Sequence, residues 1–236
     1  MRPKTFNALF VVQGSPPPER EADYHRWYDE VHGPDGLACG SFREMRRYRA
    51  VGPGERAAPF LALWNADYPD ERAAWEYIQP RAEKLRAAGR VDDIVSVRFA
   101  LMMFSVPANG PAAPSVALPT LTTVQNDWRH AEEAPEADAW WLANGLERAP
   151  RAETARLYTS DAAGKGAGYH LALFEQSIST GAAIDAWRGI GMAGSSPVPA
   201  YRTIFDTDSP VAAALATVRP RGDAWVMHWE LISALP

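Results

Sequence analysis

The sequence repeats itself at long range. Phe60-Leu61-Ala62-Leu63-Trp64 returns 110 residues later as His170-Leu171-Ala172-Leu173-Phe174, and Arg46-Arg47-Tyr48 returns at the same offset as Arg156-Leu157-Tyr158. Trp27 has a counterpart in Trp140 or Trp141, and Ala74-Trp75-Glu76-Tyr77-Ile78 has one in Ala186-Trp187-Arg188-Gly189-Ile190. Solenoid repeats run to about 20–50 residues, so a period this long describes a small domain written twice. The copies differ in chemistry, since only the first contains the polar cluster His25, Asp29 and His32.

Local patterns predict the elements of each copy. Phe6 to Gln13 reads as a strand ended by Gly14-Ser15-Pro16-Pro17-Pro18, because consecutive prolines cannot continue a ladder. Tyr24, Trp27, Tyr28 and Val31 fall at i, i+3, i+4, i+7, which predicts a helix over 19–32 that Gly33-Pro34 stops. Residues 41–50 and 59–66 read as a hairpin across Gly52-Pro53-Gly54, 70–88 as a helix with Gly89 at its C′ position, and 94–106 as a closing strand. The order is β-α-β-β-α-β, the split motif of ferredoxin-like domains. The second copy repeats it with strands over 120–126, 154–160, 169–176 and 224–232 and helices over 135–146 and 180–190, apart from an insertion near 191–211.

The expected domains are therefore repeat 1 over 1–106, a Pro-, Ala- and Gly-rich linker over 107–119, and repeat 2 over 120–236. The fold class is α+β, two ferredoxin-like βαββαβ repeats. A four-stranded sheet of this kind carries helices on one face only, so the bare faces are expected to pack sheet to sheet around an apolar cavity.

Composition narrows the function. With 47% hydrophobic residues, 236 residues can bury roughly 70–75% of their unfolded surface. The net charge of −5 is spread without runs, which argues against a nucleic-acid partner or an anionic membrane surface. One cysteine, Cys39, permits neither an intramolecular disulfide nor a cysteine metal cluster, and no stretch reaches the length of a membrane span. A cytoplasmic protein with a small-molecule substrate is expected. Nine Trp and eight Tyr suit an aromatic-walled pocket as well as an aromatic core. Nucleotide-binding glycine motifs, a Gly-x-Ser-x-Gly elbow and His-Glu-x-x-His are absent.

Trp27-Tyr28-Asp29-Glu30-Val31-His32-Gly33-Pro34, followed by Gly40-Ser41-Phe42 and Arg46-Arg47-Tyr48, resembles the dimeric α+β barrel superfamily, in particular its EthD-like and polyketide-cyclase-like groups. The match covers residues 24–66; around Trp140-Trp141 no histidine corresponds to His32. The resemblance implies an intrachain dimeric α+β barrel, with one functional site per chain. Related barrels include cofactor-free cyclases, isomerases, lyases and small monooxygenases, and tandem haem proteins.

His32 is the leading catalytic candidate, with Asp29 three residues and Tyr28 four residues before it. At a helix C-terminus beside a carboxylate, its pKa is expected near neutrality, as an acid or base requires; the alternative is a structural cap. His25, Asp29 and His32 form a stripe of possible metal ligands, yet no fourth ligand is visible, and His25 reads as a solvated residue. Tyr24, Trp27, Tyr48 and Trp64 are candidate substrate contacts. Of Arg46 and Arg47, which alternate on a strand, one should face the cavity and bind an anionic group, while the other is solvated. Cys39 reads as a turn residue and His130 as exposed.

These residues point to a cofactor-independent enzyme doing acid–base chemistry, a cyclisation, dehydration, isomerisation or lyase reaction, on a small cyclic, aromatic or polyketide-like substrate. The alternatives are a haem protein with His170 or His228 on the iron, as in the haem-binding relatives, or a non-catalytic binder of hydrophobic ligands. Duplication permits a monomer, and a homodimer remains open.

Overall fold

A computed structural model describes residues 6–51, 58–91, 94–106, 116–128, 149, 151–161, 168–189 and 224–236. The chain is mixed α and β. Its strands are β1 (Ala8–Ser15), β2 (Glu44–Ala50), β3 (Phe60–Ala66), β4 (Ser96–Ser105), β5 (Thr120–Trp128), β6 (Thr154–Asp161), β7 (Gly168–Gln176) and β8 (Ala224–Leu235). Its described helices are α1 (Glu21–Trp27), α2 (Gly33–Ala38), α3 (Glu71–Ala87) and α4 (Thr180–Gly189), with a π-helical turn at Tyr28–His32 and a 3₁₀ turn at Pro18–Arg20. The expected helix over 135–146, the insertion near 191–211, His130, Trp140 and Trp141 lie outside the described residues.

The chain forms two compact units. The first comprises Phe6–Arg49, Ala58–Phe104 and Ile232–Pro236, and the second is built from Ser105–Leu231. In the first, antiparallel pairings give the strand order β4-β1-β3-β2. In the second they give β8-β5-β7-β6, the same order of counterparts. The registers correspond as well: Arg46 faces Leu63 as Arg156 faces Leu173, and Tyr48 faces Leu61 as Tyr158 faces Leu171.

Alternation along the strands sorts the first unit into two faces. Ala8, Met45, Phe60, Ala62, Trp64 and Met102 meet Tyr24, Tyr28, Ala74 and Ile78 of the helical segments in one core cluster. Leu9, Val11, Leu61, Leu63 and Met103, of opposite parity, are also buried.

The ends of α3 follow its sequence. The Asp70 carboxylate accepts from the Ala73 amide at 2.8 Å as the N-cap. Gly89, with φ +68°, closes a Schellman motif in which the Gly89 amide donates to the Arg86 carbonyl and the Arg90 amide to the Leu85 carbonyl. No helix among the described residues is long and apolar enough to cross a membrane.

Candidate functional site

The helix expected to stop at Gly33-Pro34 does not stop there. It passes from α1 through the π-helical turn into α2, which ends at Ala38. Two features of the sequence permit this. Gly33 has no Cβ to clash with the Pro34 ring, so it takes helical angles, φ −61° and ψ −58°, before a proline. Pro34 falls in the first turn of α2, where a missing amide hydrogen costs little. The Gly33 amide reaches back five residues to the Tyr28 carbonyl. A π turn sets residues i and i+5 one above the other, and Trp27 and His32 accordingly stack, with ring centroids 4.4 Å apart and planes 10° apart. In an α-helix those two side chains point in different directions.

Gly33 also lets this segment settle onto the sheet. A Cβ there would meet Leu235 Cδ1 at 2.6 Å, the Tyr28 carbonyl oxygen at 2.7 Å and Met45 Cε at 2.9 Å. Such a close approach requires glycine.

Three aromatic rings hold His32. Besides Trp27, Tyr28 meets it edge-on at 5.0 Å and Trp64 at 5.3 Å. Neither imidazole nitrogen has a hydrogen-bond partner among the described residues. The expected pKa near neutrality is corrected on two grounds. His32 lies inside a continuing helix rather than at a C-terminus, and burial among the rings pushes its pKa down to about 4, against the weaker opposing pull of Asp35 and with a small further depression from Arg47. At pH 7 it is a neutral imidazole. Burial likewise raises the Tyr28 and Tyr24 phenols.

Asp29 turns to Arg47 instead of His32. The Arg47 guanidinium, 1% exposed, donates to Asp29 Oδ1 at 2.8 Å and to His25 Nδ1 at 2.7 Å. A guanidinium has no acceptor, so His25 Nδ1 carries the lone pair and Nε2 the proton. Arg47 also lies 4.5 Å from the Tyr28 ring centroid and 5.0 Å from that of Tyr24. The Ser233 hydroxyl donates to the same Asp29 oxygen at 2.8 Å. His25 is therefore no solvated residue, and a cation fills the space where it and Asp29 converge.

At the rim, the Trp27 indole donates to the Arg90 carbonyl at 3.2 Å, and the Arg90 guanidinium grips Asp35 through two bonds of 2.7 Å. Arg90 holds the Asp35 carboxyl below its ordinary range. Cys39 Sγ sits 3.4 Å from the Gly36 carbonyl and 3.1 Å from the Ser41 hydroxyl, the neighbourhood of a turn residue.

The structure thus brings together His32, Tyr28, Trp27 and Trp64, and beside them Asp29, Tyr24 and Arg47. Arg46 and Tyr48 have the opposite parity on β2. Arg46, 2% exposed, bonds Glu44 at 2.6 Å, so neither arginine of the pair is solvated as one was expected to be. In the second unit His170 shares strand parity with Phe174, which packs on Trp187 of α4 at 5.1 Å. His228 Nδ1 is 3.0 Å from the Thr122 hydroxyl, whose one hydrogen goes to Gln176. That fixes the proton of His228 on Nδ1. Each histidine is 1% exposed.

Sequence reasoning missed Ser233, Asp35 and Arg90. The last strand continues past Ile232 to Leu235, and the assumed helix stop placed Asp35 outside the helix; both errors hid a partner.

No family model matches the sequence, and no curated protein matches it. Among solved structures, an anthrone oxidase-like protein is similar over 98% of this chain and 93% of its own, with TM-score 0.59 and 11% identity. A candidate chlorite dismutase matches 98% of this chain and 96% of its own, with TM-score 0.51 and 13% identity. A candidate monooxygenase from Lactobacillus acidophilus matches 97% and 95%, with TM-score 0.50 and 9% identity. Shared architecture at such low identity speaks for the fold alone: this chain has the α+β barrel fold of these proteins.

Proposed function

We propose that the protein is a cofactor-independent enzyme that moves protons on a small cyclic, aromatic or polyketide-like substrate, with His32 as the proton acceptor and donor. The observation that carries this reading is a neutral, half-buried imidazole in contact with three aromatic rings, both nitrogens uncommitted among the described residues. Its lone pair is free to take a proton at neutral pH, and because burial makes it a weaker base than an ordinary imidazole, the carbon acid it serves must be an activated one. The burial that depresses its pKa then makes the imidazolium a strong acid, so the proton is readily returned. Cyclisation, dehydration, isomerisation and retro-addition share this pair of steps. Arg47 and Asp29 act at one remove: they hold Tyr28, Tyr24 and His25 and bring a buried positive charge near the site. We also infer that the chain is a tandem duplication of one ferredoxin-like repeat, on the matching strand orders and registers of its two units.

The name of the anthrone oxidase-like neighbour suggests a test compound, because the ring methylene of anthrone is acidic through its carbonyl. Deuterium exchange at that methylene, followed by NMR, isolates proton abstraction from any later bond change. Wild-type protein is expected to accelerate the exchange, and His32→Gln to lose about 100-fold or more of the acceleration. Equal exchange rates for the two proteins would falsify the reading.

A further inference from the structure

We propose that Arg90 is a positioning residue of the His32 site, which fixes and neutralises the Asp35 carboxylate one helical turn beyond the imidazole and so governs the charge that His32 meets. This rests on the acid–base reading of His32 and adds to it the group that regulates the imidazole's basicity.

Arg90 comes from far along the chain and touches both flanks of the π turn. Its carbonyl accepts from the Trp27 indole at 3.2 Å, while its guanidinium donates from Nε to Asp35 Oδ2 and from a terminal nitrogen to Asp35 Oδ1, each at 2.7 Å. Residues 27 and 35 stand before and after His32 in one continuing helical segment. Two parallel bonds of that length hold the carboxylate in one orientation, which a single contact between long side chains does not do.

The backbone of Arg90 is itself placed. The Schellman motif after α3 commits the Gly89 and Arg90 amides to the Arg86 and Leu85 carbonyls, with Gly89 at φ +68°. The Arg90 carbonyl is left for Trp27, whose ring stacks on His32. Because that bond is to main chain, replacing the Arg90 side chain leaves the stack in place and changes only what faces Asp35.

The charges around His32 make this pair the adjustable one. Asp35, three residues on along the helix, favours the imidazolium, and Arg47 of β2 weakly opposes it. Asp29 is committed to Arg47 and Ser233, and burial keeps the Tyr28 phenol protonated. Arg47 is enclosed at 1% exposure, whereas the Arg90 side chain is 45% exposed. A bare Asp35 carboxylate would hold a proton on His32 once it had been taken. The paired one leaves the ring neutral and quick to return it.

The test follows the His32 imidazole resonances by NMR from pH 7 downward, in the full chain without substrate, for the wild type, Arg90→Gln, Asp35→Asn and the double variant. Arg90→Gln bares the carboxylate and is expected to raise the His32 midpoint above about 4, while Asp35→Asn removes the charge and is expected to lower it. The double variant should match Asp35→Asn, because Arg90 acts through Asp35. A pair that only braced the helix would, once broken, loosen the burial of His32 and move both single variants up toward 6.5. That result overturns the proposal, as does one midpoint shared by all four proteins. Anthrone exchange at pH 7 should keep the order of the midpoints, with Arg90→Gln fastest and Asp35→Asn slowest, each within about 10-fold of wild type. If the midpoints split as expected and exchange ignores their order, the control by Arg90 stands and the proton-transfer reading of His32 falls.

Discussion

The two units place a buried arginine at the same point of the same sheet but neutralise it from different strands. In the first, Arg46 on β2 bonds Glu44 of its own strand, and Asn65 of β3 stands beside that carboxylate. In the second, Arg156 on β6 bonds Glu175 of the neighbouring strand at 3.0 Å, and Thr154 of β6 donates to the same oxygen at 2.7 Å. Glu44 pairs across the ladder with Asn65, and Thr154 with Glu175, so the carboxylate has changed strands within one cross-strand pair. What is kept is a charge balance at one location, whichever residue supplies it. The helix-covered face behaves differently: Arg47 corresponds to Leu157, Trp64 to Phe174 and Phe60 to His170, with no compensating exchange. Polar groups kept by compensation belong to the architecture, whereas those found in one copy alone are candidates for chemistry.

The sharpest break of this comparison removes one member of a compensated pair. Glu175→Gln leaves Arg156 buried without its carboxylate, and a loss of about 3–5 kcal/mol is expected, lowering Tm by roughly 10 °C. Glu44→Gln should act similarly on the first unit. Moving the carboxylate across the ladder, with Glu44→Thr and Asn65→Glu together, rebuilds the second unit's arrangement in the first. That double variant should lie within about 1.5 kcal/mol of wild type in urea unfolding, although Glu44→Thr alone is strongly destabilising. A double variant no better than the single one would mean that the pairs are not interchangeable.

Arg47→Leu makes the complementary test by giving the first unit the residue found at the corresponding strand position of the second, Leu157. The apolar side chain fills much of the space, and Asp29 keeps Ser233 and partial exposure, so a stability change under about 2 kcal/mol is expected. The site should suffer more than the fold. Burial first and the Arg47 charge second hold His25 below its ordinary pKa, and removing that charge should raise the His25 midpoint in an NMR titration. Anthrone exchange should fall by about 10-fold or more as Tyr28 and His25 lose the group that orders them. Full activity in Arg47→Leu would return this arginine to the architectural class.

Much of the fold was legible because hydrophobic periodicity and turn residues mark its elements. Periodicity found the described strands within a few residues, and Gly89 at the end of α3 was readable from the chain alone. The site was less legible because its geometry depends on one extra residue in a helical turn. Gly33-Pro34 is a sound stop signal, and only the missing Cβ of Gly33 and the tolerance of a first turn for proline overrule it. From that misreading came the expectation of a charged His32 paired with Asp29, where the structure has a neutral ring among aromatics and a carboxylate committed to Arg47. Partners brought from far along the chain, Ser233 above all, leave no local signal.

The neutral His32 gives the first unit a pH dependence of its own. Its folded pKa, about 4, lies below the unfolded value of 6.5, so the unfolded chain binds the proton first. Its contribution is fully present above pH 6.5 and is lost as pH falls from there through about 4, up to about 3 kcal/mol in all. Carboxylates titrate in part of the same window, so the informative quantity is a difference. Urea unfolding of wild type and His32→Phe between pH 7 and 4 should show the wild type losing more stability. Parallel losses would mean that His32 titrates as in a peptide.

The smallest expected effect separates two helical glycines. Gly33 in α2 and Gly181 in α4 both sit in first turns, where sequence rules treat them alike. Around Gly33 the space for a methyl group is taken by Leu235, Met45 and the Tyr28 carbonyl, two of them within 2.7 Å, and the carbonyl is backbone that cannot swing aside. Around Gly181 no heavy atom lies within 4 Å of an added Cβ, and its φ is not in the left-handed region. Gly181→Ala should therefore stabilise the protein by about 0.4–1 kcal/mol, because alanine has fewer unfolded conformations to lose, and Tm should rise by roughly 1–3 °C. Gly33→Ala should lower stability by about 1–3 kcal/mol and also displace His32 from its stack on Trp27, a shift visible in the imidazole resonances. If both substitutions proved neutral, the close seating of the π turn on β2 and β8 would not be what positions the imidazole, and the one-copy character of the site would rest on its side chains alone.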